Sequence, residues 1–256
     1  MRGRARRSLL LPALGLATAL ALTACSGSDE PDTPEAQGSP SRSATPVDAF
    51  TSLAPPADTR VGSVDPLLSS RAFEKARGLL ALTLAEAGSL TGSGTDALVT
   101  QLQVPNDSLS VTELLTPRPT AEALGFRPLF ARTVSLAKNP VEVVRSSYRG
   151  EEVRGQGGEA GVRITWNGAV RYRVSVGGKD REVAYALTVA YVFGPVPNEV
   201  GGLQLVQVVP GTFHAAPVVG SCLTKGVLLP AAGSPTPADY GTGPWAPADQ
   251  GPACPV

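Results

Sequence analysis

Val162-Arg163-Ile164-Thr165-Trp166-Asn167-Gly168-Ala169-Val170-Arg171-Tyr172-Arg173-Val174-Ser175-Val176 is the stretch whose reading decides the fold class. Asn-Gly between two β-favouring runs is the strongest short-range hairpin signal, because both residues tolerate the positive φ of a type I′ turn. The stretch predicts strands over Val162–Trp166 and Ala169–Val176 with the turn at Asn167-Gly168. In the second arm Val170, Tyr172, Val174 and Val176 alternate with Arg171, Arg173 and Ser175, so one face belongs to a core and the other to solvent.

Working outward, Val141–Tyr148 precedes the pair as a further strand, and the charged residues Arg145, Arg149, Glu151, Glu152 and Arg154 read as a charged loop between strands with a solvated face. Downstream, Gly177-Gly178-Lys179-Asp180 turns the chain into the longest strand, Arg181–Phe193. Its large residues, Val183, Tyr185, Leu187, Val189, Tyr191 and Phe193, share one face. Ala184, Ala186, Thr188 and Ala190 share the other, so the strand must be covered on both sides. Small residues there allow close packing of a helix, or leave room for an apolar pocket. Leu203–Val209 adds a strand after the Pro195/Pro197 loop. The whole is an antiparallel meander.

Ahead of the sheet, Asp65-Pro66 suits an N-cap followed by proline at the first helical position, and Gly88 suits the position after the last turn. Between them Phe73, Ala76, Leu80, Leu84 and Ala87 form one apolar stripe, predicting a helix from Pro66 to about Ala87. Ala97–Val104 fits strand or helix, and Val111–Leu115 and Thr120–Leu124 read as short helical turns. The expected fold class is α+β: an N-terminal helix on a curved antiparallel meander, a single domain over 66–229. From 230 to 256 the chain turns to Pro, Gly and Ala, and reads as a strap along the domain surface with Trp245 as its apolar rivet.

The first 24 residues differ in kind. Arg2, Arg4, Arg6 and Arg7 precede an apolar run from Leu9 to Leu22, too short for the roughly 20 residues that span a bilayer. Leu22-Thr23-Ala24-Cys25 resembles the lipobox of bacterial lipoproteins. That resemblance implies cleavage before Cys25 and a diacylglyceryl thioether, with palmitate-type acylation, on that cysteine. Two acyl chains anchor a protein stably where one does not, so the expected location is the extracytoplasmic face of the cell membrane. From 25 to 65 the composition is Ser, Pro, Thr, Ala and Asp, with too little apolar surface to order itself, and reads as a disordered tether.

Removing 1–24 takes four of the 22 basic residues and none of the 22 acidic ones, leaving a net charge of −4 that excludes a nucleic-acid footprint. Cys222 and Cys254 remain as an even pair in an exported chain, where a disulfide is the expectation. A bridge over about 30 residues is worth about 3–4 kcal/mol on the chain-entropy model. Two Cys and one His make an incomplete zinc set, so no metal is expected, and no cofactor fingerprint is present.

One helix, short helical turns and then a meander over Leu67–Pro210 resembles the nuclear-transport-factor-two-like, or cystatin-like, α+β class. That class contains small enzymes with an inward acid/base pair and many non-catalytic binding or scaffolding domains. Here no Asp or Glu falls in the interior of the main strands, Glu142 and Glu182 lying only at strand ends, which points to the non-catalytic kind and to an envelope protein as partner. A carrier or sensor of a small apolar ligand or lipid on the Ala184/Ala186/Thr188/Ala190 face is the alternative. Ser135-Leu136-Ala137-Lys138 matches S-x-x-K of penicillin-recognising enzymes without its companion motifs, giving a serine hydrolase of Ser135 and Lys138 as the remaining alternative. The single histidine, His214, reads as a solvated loop residue.

Overall fold

The computed structural model describes residues 53–92, 121–154, 158–196, 199 and 202–243. The fold is α+β: an antiparallel sheet of five strands with a few helices. Cys25, Cys254, Trp245 and the segments Ala97–Val104 and Val111–Leu115 lie outside the described residues.

Helix α1 (Pro66–Ala85) starts as its sequence dictates. The Asp65 carboxylate accepts from the N–H groups of Leu67 and Leu68 at 2.7 and 3.2 Å, with proline behind the cap. Ala72, Phe73, Ala76, Leu80 and Leu84 are buried, the expected stripe. The helix ends earlier than its periodicity implies. Glu86 is extended, and a short α2 (Ala87–Thr91) follows, closed by Gly92 at φ +79° rather than by Gly88. The reason lies in the sheet. The Leu84 carbonyl, which a continuing helix would pair with Gly88, instead accepts from the Tyr172 hydroxyl at 2.8 Å.

The strands are β1 (Val134–Arg154), β2 (Ala160–Val176), β3 (Lys179–Pro195), β4 (Leu203–Val209) and β5 (Phe213–Ala216). Their order is β1-β2-β3-β4, with β5 beside β3 as well. Turn Gly177-Gly178 joins β2 to β3 with φ of +57° and +75°, the conformation that glycine supplies at no steric cost. The β4 bounds are those expected from sequence. The wider β1 is a correction, because Arg149, Glu151, Glu152 and Arg154 are ladder residues paired to β2 and not a loop.

Asn167-Gly168 is the main correction. It makes no turn: β2 runs straight through it, with Asn167 between Ser147 and Thr188 and Gly168 between Ser146 and Leu187. Gly168 is required for space and not for φ. A Cβ there would stand 2.0 Å from Cζ2 of the Trp166 indole, which lies across the glycine. Trp166 is fully buried and donates from Nε1 to Ser146 Oγ at 3.0 Å. Tertiary packing on three strands overrides the local turn preference.

The core lies between the helices and the large-residue face of the sheet, filled by Trp166, Tyr172, Tyr185, Tyr191 and Phe193. Three core hydroxyls reach backbone carbonyls of flanking segments: Tyr148 donates to Leu53, Tyr172 to Leu84, and Tyr185 to Leu124 in the 3-10 turn Ala121–Gly125. Buried tyrosines thereby pin those segments to the sheet. Leu53, Val61 and Val64 are buried too, and Glu152 accepts from the Ser63 N–H and hydroxyl. The last part of the expected tether, 53–65, is therefore part of the domain: its few apolar residues are spent on the core.

Candidate functional site

The opposite face of the sheet carries the small residues of β3, and the ladder places their neighbours. Ala184 lies between Arg171 and Ala216, Ala186 between Ala169 and His214, and Thr188 next to Asn167. Paired residues share a face, so Arg171, Asn167 and His214 surround an alanine floor. Arg145 of β1 joins them from its pairing with Ala169.

This floor is occupied by the C-terminal strap. Its 3-10 turn Pro237–Tyr240 is closed by a capping box in which Asp239 Oδ2 accepts from the N–H and hydroxyl of Thr236 at 2.6 and 2.8 Å. The other oxygen, Oδ1, lies 2.8 Å from His214 Nε2. Arg145 donates from Nε to the Tyr240 carbonyl at 3.1 Å and from Nη2 to the Gly241 carbonyl at 2.8 Å, while Nη1 donates to Asn167 Oδ1. Arg171 donates from Nε to the Tyr240 hydroxyl at 3.2 Å, and its guanidinium stands 5.6 Å from the ring centre.

Asn167 explains itself here. Its amide oxygen aims Arg145 at the strap, and its nitrogen donates to Thr188 Oγ1 at 2.8 Å. A residue poorly suited to a strand is held in one because its amide bridges β1 to β3.

Burial pushes the Asp239 carboxyl up, but hydrogen bonds from His214 and from the Thr236 N–H and hydroxyl outweigh it and hold it below 3.8. Burial pulls the Arg145 guanidinium below its ordinary value. Burial acts on both groups, so the clasp is a partly desolvated contact.

The structure redistributes the residues read from sequence. Of the segment read as a strap, the described part holds the 3-10 turn Pro237–Tyr240 and its contacts to Arg145 and His214. Ala184 and Ala186 are fully buried, and Thr188 and Ala190 border them. The strap lies beside the face on which an apolar pocket of Ala184, Ala186, Thr188 and Ala190 is the alternative expectation, fastened to Arg145, Arg171 and His214 around it. Two described recesses lie elsewhere. One of about 430 Å³ sits between α1 and the β3–β4 connection, lined by Ser70, Arg71, Glu74, Lys75 and Glu199. The other, about 360 Å³, lies at the Gly177-Gly178 end, lined by Arg173, Asp180, Arg181 and Glu182.

His214 is not a solvated loop residue. It belongs to β5, and among the described residues its ring is hydrogen-bonded to Asp239. Among the described residues no hydroxyl or thiol is hydrogen-bonded to its other ring nitrogen, so the pair lacks the nucleophile a triad needs. Ser135 and Lys138 are both exposed at the start of β1, where the ladder to β2 breaks between Leu136 and Val141. Cys222 is fully buried in α3 (Gly220–Thr224). Among the described residues no group of three or more His, Cys, Asp or Glu could hold a metal ion, and no helix is long and apolar enough to cross a membrane.

Sequence alternation flagged Arg171 as a wet-face residue, but nothing in the sequence couples Arg145, Asn167, Asp239 and Tyr240. Their contacts span from about 20 to nearly 100 residues of chain. No family model, curated protein or solved structure matches the chain.

Proposed function

We propose that this chain is a lipid-anchored lipoprotein of the extracytoplasmic membrane face, whose α+β domain binds or scaffolds an envelope partner without catalysing a reaction. The observation that carries the reading is the use made of the groups suited to chemistry. His214, Asp239, Arg145 and Arg171 are consumed in fastening the strap. The two faces of the sheet are engaged, one by the aromatic core and one by contacts to the strap. Recognition then falls to the outer surface and the sheet edge.

The anchor rests on Leu22-Thr23-Ala24-Cys25 and on the charged and apolar segments before it. Residues 26–52 separate Cys25 from Leu53, where the described residues begin and which is buried. If the Ser, Pro, Thr, Ala and Asp composition read from sequence makes this stretch a tether, a random chain of that length has a reach of about 30 Å. Cys222 and Cys254 are the proposed bridge, which would tie the strap's far end to the domain.

The test is site-specific photo-crosslinking in intact cells. Probes at exposed edge positions such as Val144 should capture a defined envelope protein, and a probe at Ala186 beneath the strap should not. Native mass spectrometry of the purified protein addresses the carrier reading. A stoichiometric co-purifying lipid or apolar molecule would replace binding and scaffolding with carriage, and the bare mass of the chain would leave them in place.

A further inference from the structure

The sheet has one conspicuous open edge. β1 is 21 residues long and pairs on one side with β2; among the described residues no backbone hydrogen bond is made on its other side. Such a row of free N–H and C=O groups is a template for another strand, and proteins commonly blunt it with proline, lysine or bulges. The first half of β1 has all three: Lys138, Pro140, and register breaks at Leu136/Val141 and Val143/Arg145. The second half has none. From Arg145 to Arg154 the ladder to β2 is unbroken, a straight edge of the kind an added strand extends.

We infer that the Arg145–Arg154 edge is an interface for a second copy of this chain, paired antiparallel about a twofold axis through Gly150. The register follows from the pleat and the charges. In a sheet continued across a perpendicular twofold axis, facing residues share a face, so the axis must pass through a residue and not between two. An axis at Arg149 sets arginine against arginine, and axes at Glu151 or Glu152 set glutamate against glutamate; like charges directly opposite are destabilising. An axis at Ser147 opposes Arg149 with Arg145. An axis at Tyr148 would need Arg145 to meet Glu151, but that guanidinium is engaged by the strap and Asn167. An axis at Val153 would pair Glu152 with Arg154, but Ser63 already holds that carboxylate and only the last residues of the ladder would overlap. At Gly150, Arg149 of each copy faces Glu151 of the other, two pairs in all.

The two side chains are available. Arg149 is 79% and Glu151 38% exposed, and within one chain they touch at 2.9 Å as a surface pair. Such a pair is worth little, so exchanging it across the axis costs little. Charged residues that would guard this edge against other strands thus select for itself. The inference is independent of the anchor, though co-anchoring would raise the effective concentration of copies towards the millimolar range. An edge of this length buries less than the roughly 1,200 Å² of a standard interface, so the dimer is weak in free solution.

The test is sedimentation equilibrium of the purified protein in low salt, up to about 0.5 mM because the contact is small. Wild type should show reversible dimerisation. Arg149→Glu and Glu151→Arg should each weaken it at least tenfold, with unchanged circular dichroism. Mixing the two variants should restore it, since each then presents the complement of the other. That rescue is the discriminating readout, because a change inside one chain cannot be repaired by adding a different chain. A wild type that stays monomeric, a dimer indifferent to both reversals, or a mixture no more associated than its components would overturn the inference.

Discussion

Replacing Gly168 with alanine tests whether β2 runs through Asn167-Gly168 or turns there. A Cβ at this site would stand 2.0, 2.4 and 2.5 Å from Cζ2, Cη2 and Cε2 of Trp166. Ordinary contact begins near 3.5 Å, so the indole must retreat by more than an ångström. It cannot retreat freely, being fully buried and hydrogen-bonded to Ser146 Oγ. Overpacking costs about 1–3 kcal/mol, and weakening the indole hydrogen bond adds about 1 kcal/mol. Gly168→Ala should therefore lose about 2–4 kcal/mol in urea unfolding. The same change in a Trp166→Leu background should cost under about 0.5 kcal/mol, because the obstructing ring is gone. A glycine needed for positive φ in a turn would instead lose about 1 kcal/mol in both backgrounds. Equal penalties in the two backgrounds would refute the strand account of this glycine.

Three further outcomes follow from the strap and the cysteines. The Asp239 carboxyl is held below 3.8, so its contribution is complete above that value and lost as pH falls through its folded value. Hydrogen-exchange protection of 236–241 should accordingly hold at neutral pH and fade as acid protonates the Asp239 carboxyl below its ordinary value, while β2 and β3 stay protected; a strap equally protected once that carboxyl is protonated would contradict this. Asn167→Ala leaves Arg145 Nη1 and Thr188 short of a partner, and should cost about 1–3 kcal/mol. Its signature is faster exchange of the strap than of α1, and uniform destabilisation would count against Asn167 as the residue that aims Arg145. Titrating thiols of the unfolded protein before and after reduction should reveal a gain of two if Cys222 and Cys254 are bridged; equal counts would exclude the bridge.

Elements governed by their own residues were legible. Asp65-Pro66 specified a helix start, Gly177-Gly178 a tight turn, and Leu203–Val209 a strand, each through local backbone chemistry. Elements governed by distant partners were not. Asn167-Gly168 carries the local signature of a turn, but the glycine answers to Trp166 and the asparagine to Arg145 and Thr188. Arg149–Arg154 look like a loop because edge strands carry charges for reasons unrelated to their backbone. The alanine stripe of β3 was readable as a surface needing a close cover. The identity of that cover depended on Asp239 meeting His214, a contact no spacing rule encodes.

The most direct test of the central proposal, a domain held at the membrane by Cys25, is the intact mass and N-terminal peptide of the mature protein from its own membranes. The account predicts a chain beginning at Cys25 and carrying a diacylglyceryl group, whereas Cys25→Ser should lack that group and be either released into the medium or left uncleaved. A chain that keeps 1–24, or that begins at another residue with an unmodified Cys25, would contradict it.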